Sequence, residues 1–224
     1  MKSILIGMPC QSGVVPVSML QSLLTLHKPY PCGFVVVERQ RVDKARNHIA
    51  MECLRGGFDY LLFVDDDNPT PPDTLEKFIE DDKDIVMAPI VARNPTPEGK
   101  YNLCCFYSEE VDVWGKPLRL YFPVEKFKED GYLHAVDACG LGCTLIKRGV
   151  LEKLHQKYQD YMFEFGDIRF KEVEYRGKKY DRRTMSEDCE FSERAIDAGF
   201  KIWIDERVKP AHLTHIGSVR WNNG

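Results

Sequence analysis

Apolar positions along the first ninety residues follow two alternating rhythms. Residues 3–8, 34–38, 59–64 and 84–92 are short, nearly continuous apolar runs of strand length, and the segments between them carry apolar residues at helical spacing. From Pro16 to about His27 the pattern predicts a helix with proline at its start and Val17, Leu20 and Leu24 on one face. Asp43 is the predicted cap of a second helix, whose inner stripe is Val42, Ala45, Ile49 and Cys53 and whose stop is Gly56-Gly57. Pro72-Asp73 opens a third helix carrying Leu75, Phe78 and Ile79. Strands apolar on both faces, alternating with helices, predict an α/β fold: a mostly parallel central sheet covered by helices on both faces. In such sheets ligands bind beyond the carboxyl ends of the strands, where Pro9, Glu38 and Asp65-Asp66-Asp67 fall.

The second half is less regular. Asn94-Pro95-Thr96-Pro97-Glu98-Gly99 is rich in breakers, and residues 101–107 and 118–121 read as hairpin strands around Trp114-Gly115-Lys116-Pro117. Gly140 and Gly142 lie in a flexible turn that enters the strand Thr144-Leu145-Ile146. Residues 155–183 are polar and aromatic, longer than a usual connection, and predict a lid or acceptor loop, the alternative being a structured excursion such as an extra hairpin. Thr184 and Glu187 have capping-box spacing, opening a helix that runs to Gly199 with Phe191 and Ala195 inward. Residues 201–205 form another strand. With no repeat or clear linker, one domain spans residues 1–224, with a nucleotide-binding half to residue 93 and an acceptor and catalytic half after it.

Composition narrows the classes of function. The net charge of −4 argues against a nucleic-acid platform. No apolar stretch reaches the ~18 residues of a membrane span. The start, Met1-Lys2-Ser3-Ile4, enters a strand without a signal-peptide layout, and eight cysteines without a CxxC pair read as reduced, buried thiols. Together these predict a cytoplasmic protein.

The candidate chemistry begins where the run Tyr60-Leu61-Leu62-Phe63-Val64 ends in Asp65-Asp66-Asp67. Three adjacent carboxylates repel one another, so a fold that places them at a strand end calls for a cation. Hard oxygen donors suit Mg²⁺ or Mn²⁺, which are held by one or two carboxylates together with substrate phosphates. A plain acidic turn closed by Asn68-Pro69 is the competing reading. A second acidic pair, Glu187-Asp188, stands about 120 residues downstream, and Asp188 shares the inward face of its helix with Phe191 and Ala195. A carboxylate there is either tuned for chemistry or favoured by the helix dipole. Beyond it comes His212-Leu213-Thr214-His215-Ile216-Gly217, in which alternation allows one histidine to face a shared site.

This order of elements resembles the GT-A glycosyltransferases: a strand ending in DxD, a helix opening with Glu-Asp, then a strand and a histidine before glycine. The similarity is greatest to small, family-2-like enzymes of bacterial and phage type that use nucleotide sugars. It covers residues 4 to about 217, is weakest over 95–134 and 155–183, and extends to Arg46-Asn47 and to Cys139-Gly140-Leu141-Gly142. The resemblance implies a GT-A, Rossmann-like sheet with a smaller acceptor-side hairpin region, and sugar transfer from a donor, a UDP-sugar first, to a carbohydrate or other hydroxyl, with inversion. Asp67 would ligate Mn²⁺ or Mg²⁺ with His215, His212 being the fallback. Asp65 would contact the ribose or support the metal, with Asp66 and Gly140 also on the donor side. Pro9 and Glu38 would line the nucleoside pocket, Arg46 would lie near the base or diphosphate, and Asp188 would be the general base supported by Glu187.

Other readings make different demands. A sugar-phosphate nucleotidyltransferase would be expected to carry a glycine-rich basic loop after the first strand, and Met8-Pro9-Cys10-Gln11-Ser12-Gly13 contains no Lys or Arg. A phosphatase using an acidic strand end would show DxDx[TS], but Asn68-Pro69 follow Asp67. A non-catalytic carbohydrate- or nucleotide-binding protein would not need both acidic clusters and a distal histidine in this order.

Overall fold

The structure, a computed structural model, describes residues 1–96, 99–113, 116–128, 130–166, 173–175, 177–180, 186–214 and 217–219. The first half alternates as its sequence indicates: β1 (Ile4–Cys10), α1 (Val17–Thr25), β2 (Cys32–Glu38), α2 (Val42–Arg55), β3 (Tyr60–Val64), α3 (Thr74–Asp81) and β4 (Ile85–Met87). The second half contributes β5 (Cys105–Val113), β6 (Lys116–Pro123), β7 (Leu133–Val136), β8 (Ala138–Cys139), β9 (Cys143–Lys147) and α4 (Arg148–Tyr158). It continues with β10 (Val173–Tyr175), β11 (Lys178–Tyr180), α5 (Glu187–Asp197), β12 (Ile202–Asp205), β13 (His212–Thr214) and β14 (Gly217–Val219).

Seven strands form the central sheet in the order β2-β1-β3-β9-β4-β12-β7. The pairs β1–β2, β1–β3 and β4–β12 are parallel, whereas β9 and β7 run antiparallel to their neighbours. The insertion of β9 between β3 and β4 is invisible to periodicity. It also means that both halves of the chain build the same sheet.

Every residue of β1 and β3 is buried, as strands covered on both faces require. One face packs on α2, α4 and α5 through Ala45, Ile49, Leu151, Leu154, Phe191 and Ala195, and the other on α1 and α3 through Met19, Leu75 and Phe78. Helix α2 lies so close to β1 that a Cβ at Gly7 would sit 2.2 Å from Ile49 Cγ2.

Helix starts and faces depart from the sequence reading in three places. Helix α2 is capped by Arg41, and Asp43 sits in its first turn, buried and held by Arg41 Nε at 2.6 Å. Helix α5 is capped by Ser186, whose hydroxyl accepts from Cys189 N–H at 3.4 Å, while Thr184 lies outside the described residues. On α1, Val17, Leu20 and Leu24 do share a face, but that face is exposed; the helix buries Met19 and Ser22 instead. Within 155–183, α4 extends to Tyr158 and β10–β11 form an antiparallel hairpin, the structured alternative; 167–172, 176 and 181–183 lie outside the described residues.

A buried acid pair joins α3 to β12. Arg207 Nη2 bonds Asp81 Oδ1 at 2.8 Å and Asp205 Oδ2 at 2.9 Å, and both carboxylates are fully buried. Burial first, and then the neighbouring Asp205, push the Asp81 carboxyl up to about 7. The folded chain therefore keeps a proton there that the unfolded chain releases near the ordinary carboxylate pKa of about 4. The stability from this proton is complete below about pH 4 and is lost as pH rises toward 7. Asp81→Asn, neutral at every pH, is expected to lack most of that fall in stability between those limits. Denaturation curves at pH 4.5 and 7.5 check this, and equal pH dependence in both proteins would refute it.

Candidate active site

Because β1 and β3 are parallel neighbours, their carboxyl ends open on the same side of the sheet. Asp65, Asp66 and Asp67 follow β3 in a tight turn, in which Asn68 N–H donates to the Asp65 carbonyl at 3.1 Å. Strand β9 starts opposite the end of β3, which brings the turn before it against the acidic loop. Asp65 N–H donates to the Gly142 carbonyl at 3.0 Å. Any side chain at residue 142 is excluded, since a Cβ there would lie 2.1 Å from Asn68 Oδ1 and 3.2 Å from Asp65 Oδ2. Above the loop is a cavity of about 420 Å³ lined by the three aspartates, Pro9, Gln11, Ser12, Val42 and Arg93. A second space, about 510 Å³, adjoins Asp66, Asp67 and Arg93 and reaches Asn94 and Thr214.

Arg46 binds the two acidic clusters together. Its guanidinium is buried, with Nη1 3.0 Å from Asp65 Oδ1, Nη2 donating to Asp65 Oδ2 at 3.1 Å, and Nε donating to Glu187 Oε1 at 3.4 Å. Nη2 also lies 3.5 Å from Asp188 Oδ1, and the guanidinium sits 5.2 Å from the Phe63 ring centre. Burial works against its charge, but Asp65, Asp188 and Glu187 outweigh burial and keep it protonated. Three carboxylates around one cation leave an excess of negative charge. Asp188 bears it: burial, opposed by Arg46 and reinforced by Glu187 and Asp65, raises its carboxyl well above the usual carboxylate range. Its Oδ1 is buried without a hydrogen bond, while the side chain keeps a quarter of its surface open. A carboxyl raised in this way and open on one side can hold or exchange a proton at pH values where an ordinary carboxylate is ionised.

Asp67 turns the other way, toward β13. Its backbone carbonyl accepts from Leu213 N–H at 2.8 Å, and its Oδ2 lies 3.3 Å from His212 Nε2. His212 Nδ1 donates to the Val91 carbonyl at 2.5 Å, and Nε2 accepts from Arg93 Nε at 3.0 Å. Burial pushes the His212 pKa down, so the ring is neutral with its Nε2 lone pair facing Asp67. Two electron-pair donors thus face each other, and the Arg93 guanidinium, paired with Asp67, supplies the cation between them. A carboxylate oxygen and an imidazole nitrogen, the latter fixed by a backbone carbonyl behind it, are a fitting donor pair for Mn²⁺ or Mg²⁺ completed by phosphate oxygens.

The residues singled out by the sequence are only partly gathered here. Pro9, Asp65, Asp66 and Asp67 line the cavity. Gly140 stands next to the Asp188 carboxylate, 3.9 Å from the position of its Cβ to Oδ2. Glu38 is exposed at the end of β2 and does not line the cavity. Arg46 faces inward as the counter-ion of the carboxylates rather than toward a base or diphosphate, because a guanidinium ringed by three acids is held there by charge. His215 lies outside the described residues, and His212 is the histidine found beside Asp67. Asn47, next to Arg46, fixes the Phe163 backbone, donating to its carbonyl at 2.5 Å and accepting its N–H at 3.0 Å. Arg93 has no signal in the sequence: a lone basic residue just beyond an apolar run carries no motif.

No protein-family model and no curated protein matches the sequence. Solved structures do resemble the chain. Protein A197 from STIV is 18% identical, and the superposition covers 100% of this chain and 96% of that one at a TM-score of 0.55. The two share a fold. More distant are S. aureus TarS 1-349 in complex with UDP-GlcNAc (15% identical, 91% of this chain and 56% of that one, TM-score 0.47) and an apo UDP-glucose pyrophosphorylase (7%, 85% and 59%, TM-score 0.38). The GT-A-type arrangement expected from the sequence, a mostly parallel sheet with helices on both faces, is the one found. Among the described residues no helix is long and apolar enough to cross a membrane.

Proposed function

We propose that this chain is a metal-dependent glycosyltransferase that moves a sugar from a nucleotide-sugar donor, a UDP-sugar as first choice, to an acceptor hydroxyl with inversion. The observation that carries this reading is the meeting of both acidic clusters on one buried arginine at the carboxyl ends of the strands. An acidic turn made only for solubility has no use for such a convergence.

In this reading Asp67 and His212 hold a divalent ion, Mn²⁺ or Mg²⁺, which when bound neutralises the diphosphate leaving group. Pro9 and the segment after it line the nucleoside side of the cavity, with Asp65 fixed by Arg46 toward the ribose. Arg93 gives up its place between Asp67 and His212 and turns its charge to the phosphates. Asp188 accepts the proton of the acceptor hydroxyl as the new glycosidic bond forms and the diphosphate departs from the opposite face. Glu187 and Arg46 position Asp188 and set its basicity. A hydroxyl is a poor nucleophile at neutral pH, so the step needs such a base.

The test is a panel of UDP-, GDP-, CDP- and dTDP-sugars incubated with the protein and Mn²⁺, reading free nucleotide with and without simple sugar acceptors. Release from one donor class that stops with EDTA supports the reading. No release from any donor, together with no calorimetric binding of any nucleotide, defeats it.

The metal role has its own prediction. Calorimetry with UDP is expected to show Mn²⁺-dependent binding that is absent in Asp67→Ala, with far-UV circular dichroism and thermal unfolding verifying that the variant is folded. Arg93→Gln, lacking the internal cation, is expected to bind Mn²⁺ without nucleotide about tenfold more tightly than the native chain, since it removes a competing charge. Unchanged metal-dependent affinity in Asp67→Ala would remove the ligand assignment.

A further inference from the structure

A separate cavity lies toward the opposite end of the sheet from the acidic loop. Strands β3 and β4 both run antiparallel to β9, and β12 is parallel to β4, so β3 and β12 point the same way. The acidic loop follows the carboxyl end of β3, whereas this cavity, about 330 Å³, borders Lys201 and Ile202 at the amino end of β12. It forms because the chain changes sheets there. Strand β7 closes the edge of the central sheet with Val136 opposite Ile202, and two residues later β8 pairs with β5 instead. The two sheets part at Asp137. Tyr107 of β5, Ile196 near the end of α5 and Phe200 just after it wall the wedge between them.

Basic side chains gather in this wedge. Lys128 and Lys201 line it, and among the described residues neither is in an ion pair. Lys128 is held in place: its backbone N–H donates to the Tyr107 hydroxyl at 3.0 Å, and its Nζ rests 3.9 Å from the centre of the Tyr107 ring. Asp137, the acid in the lining, is engaged elsewhere, its Oδ2 accepting from Ser108 N–H at 2.6 Å. His134 also lines the cavity. It is 2% exposed and stacks flat on Phe127 with 4.1 Å between ring centres. Neither of its ring nitrogens makes a hydrogen bond. Nε2 lies 3.5 Å from Glu206 Oε2, which leaves Nδ1 without a polar partner among the described residues. Buried polar side-chain atoms are paired in the great majority of cases, so an unmatched imidazole beside a cavity points to a group that enters it.

We propose that this wedge is a binding site for a phosphate group carried on a molecule of about monosaccharide size. Lysine binds phosphate as a point charge, and two lysines answer the double negative charge of a phosphate monoester. The imidazole N–H offers a further donor to one of its oxygens. A bare phosphate would leave the wall of Tyr107, Ile196 and Phe200 uncovered. The volume is at the lower end of the ~300–1,000 Å³ typical of small-molecule sites, which suits a compact ester. Nothing in this assignment uses the reading of the acidic loop.

Calorimetry in EDTA with glucose 1-phosphate, glucose 6-phosphate, ribose 5-phosphate, inorganic phosphate and glucose tests it. At least one sugar phosphate is expected to bind with a dissociation constant below about 1 mM, more tightly than inorganic phosphate, and glucose not at all. Lys128→Met/Lys201→Met should weaken that binding about 30-fold or more, as loss of two charge-assisted contacts requires. His134→Phe, which keeps the stack on Phe127, should weaken it about tenfold through the lost donor. Both lysines are solvent-exposed, so circular dichroism and thermal unfolding verify that the double variant is folded. Asp67→Ala should bind the sugar phosphate as the native chain does, which separates this site from the acidic loop. No binding of any phosphate overturns the proposal, as does binding indifferent to the lysine pair. Inorganic phosphate binding as tightly as every ester would overturn the sugar-sized ligand.

Discussion

Asp188→Asn is expected to lower sugar transfer by about 10²–10⁴-fold, the range over which a positioned general base acts. The substitution keeps the shape of the side chain and removes only its capacity to take a proton. Donor affinity should barely change, since the role of Asp188 is toward the acceptor, so the loss should appear in kcat. Stability separates this from a structural role. Arg46 faces three carboxylates, and removing one charge relieves repulsion while leaving Asp65 and Glu187 as its partners. The thermal midpoint should therefore hold or rise while activity collapses. The pH profile gives a further mark. Because burial raises the Asp188 carboxyl, native activity should fall as pH drops through a value above the ordinary carboxylate range, and that limb should be missing in Asp188→Asn. Near-normal turnover, or a loss confined to KM, would exclude Asp188 as the base.

What the sequence revealed depended on how local each signal is. Strands β1 and β3 and helices α2 and α3 are written in consecutive residues, because central parallel strands must be apolar on both faces. The antiparallel insertion of β9 between β3 and β4 is a pairing choice made by residues some eighty positions apart, and no periodicity records it. Val17, Leu20 and Leu24 show that periodicity finds a face without saying what covers it. In the site, the acidic clusters were legible because like charges in sequence demand an explanation. The residue that joins them is not legible in one dimension: Arg46 reads there as a donor contact, and only the fold puts Asp65, Glu187 and Asp188 around it. His212 and His215 could not be separated by alternation alone, because register decides which one meets Asp67. The Val91 carbonyl, which holds His212 Nδ1, belongs to a segment 121 residues away. Arg93 carried no signal because its partners, Asp67 and His212, lie on two other segments of the chain.

Arg46→Met is expected to be the most destabilising single change in the site, by about 3–5 kcal/mol, the usual effect of stranding buried charge by removing its partner. For a chain of this size that corresponds to a fall of roughly 10 °C in thermal midpoint. Methionine nearly fills the volume of the arginine stem, so a cavity accounts for little of the loss. What remains is Asp65, Glu187 and Asp188 facing one another with no counter-ion. Two measurements distinguish charge from packing. Acidification protonates the stranded carboxylates, so the gap between native and Arg46→Met should narrow as pH falls from 7 toward 4.5. Adding Asp188→Asn to Arg46→Met should restore part of the lost stability, even though Asp188→Asn alone changes little, because the two side chains share one electrostatic cluster. A gap that is constant in pH, with additive effects in the double variant, would mean that Arg46 serves the core as an aliphatic stem against Phe63. The acidic loop and the start of α5 would then be neighbours by packing alone, and the basis for assigning them to one catalytic centre would be gone.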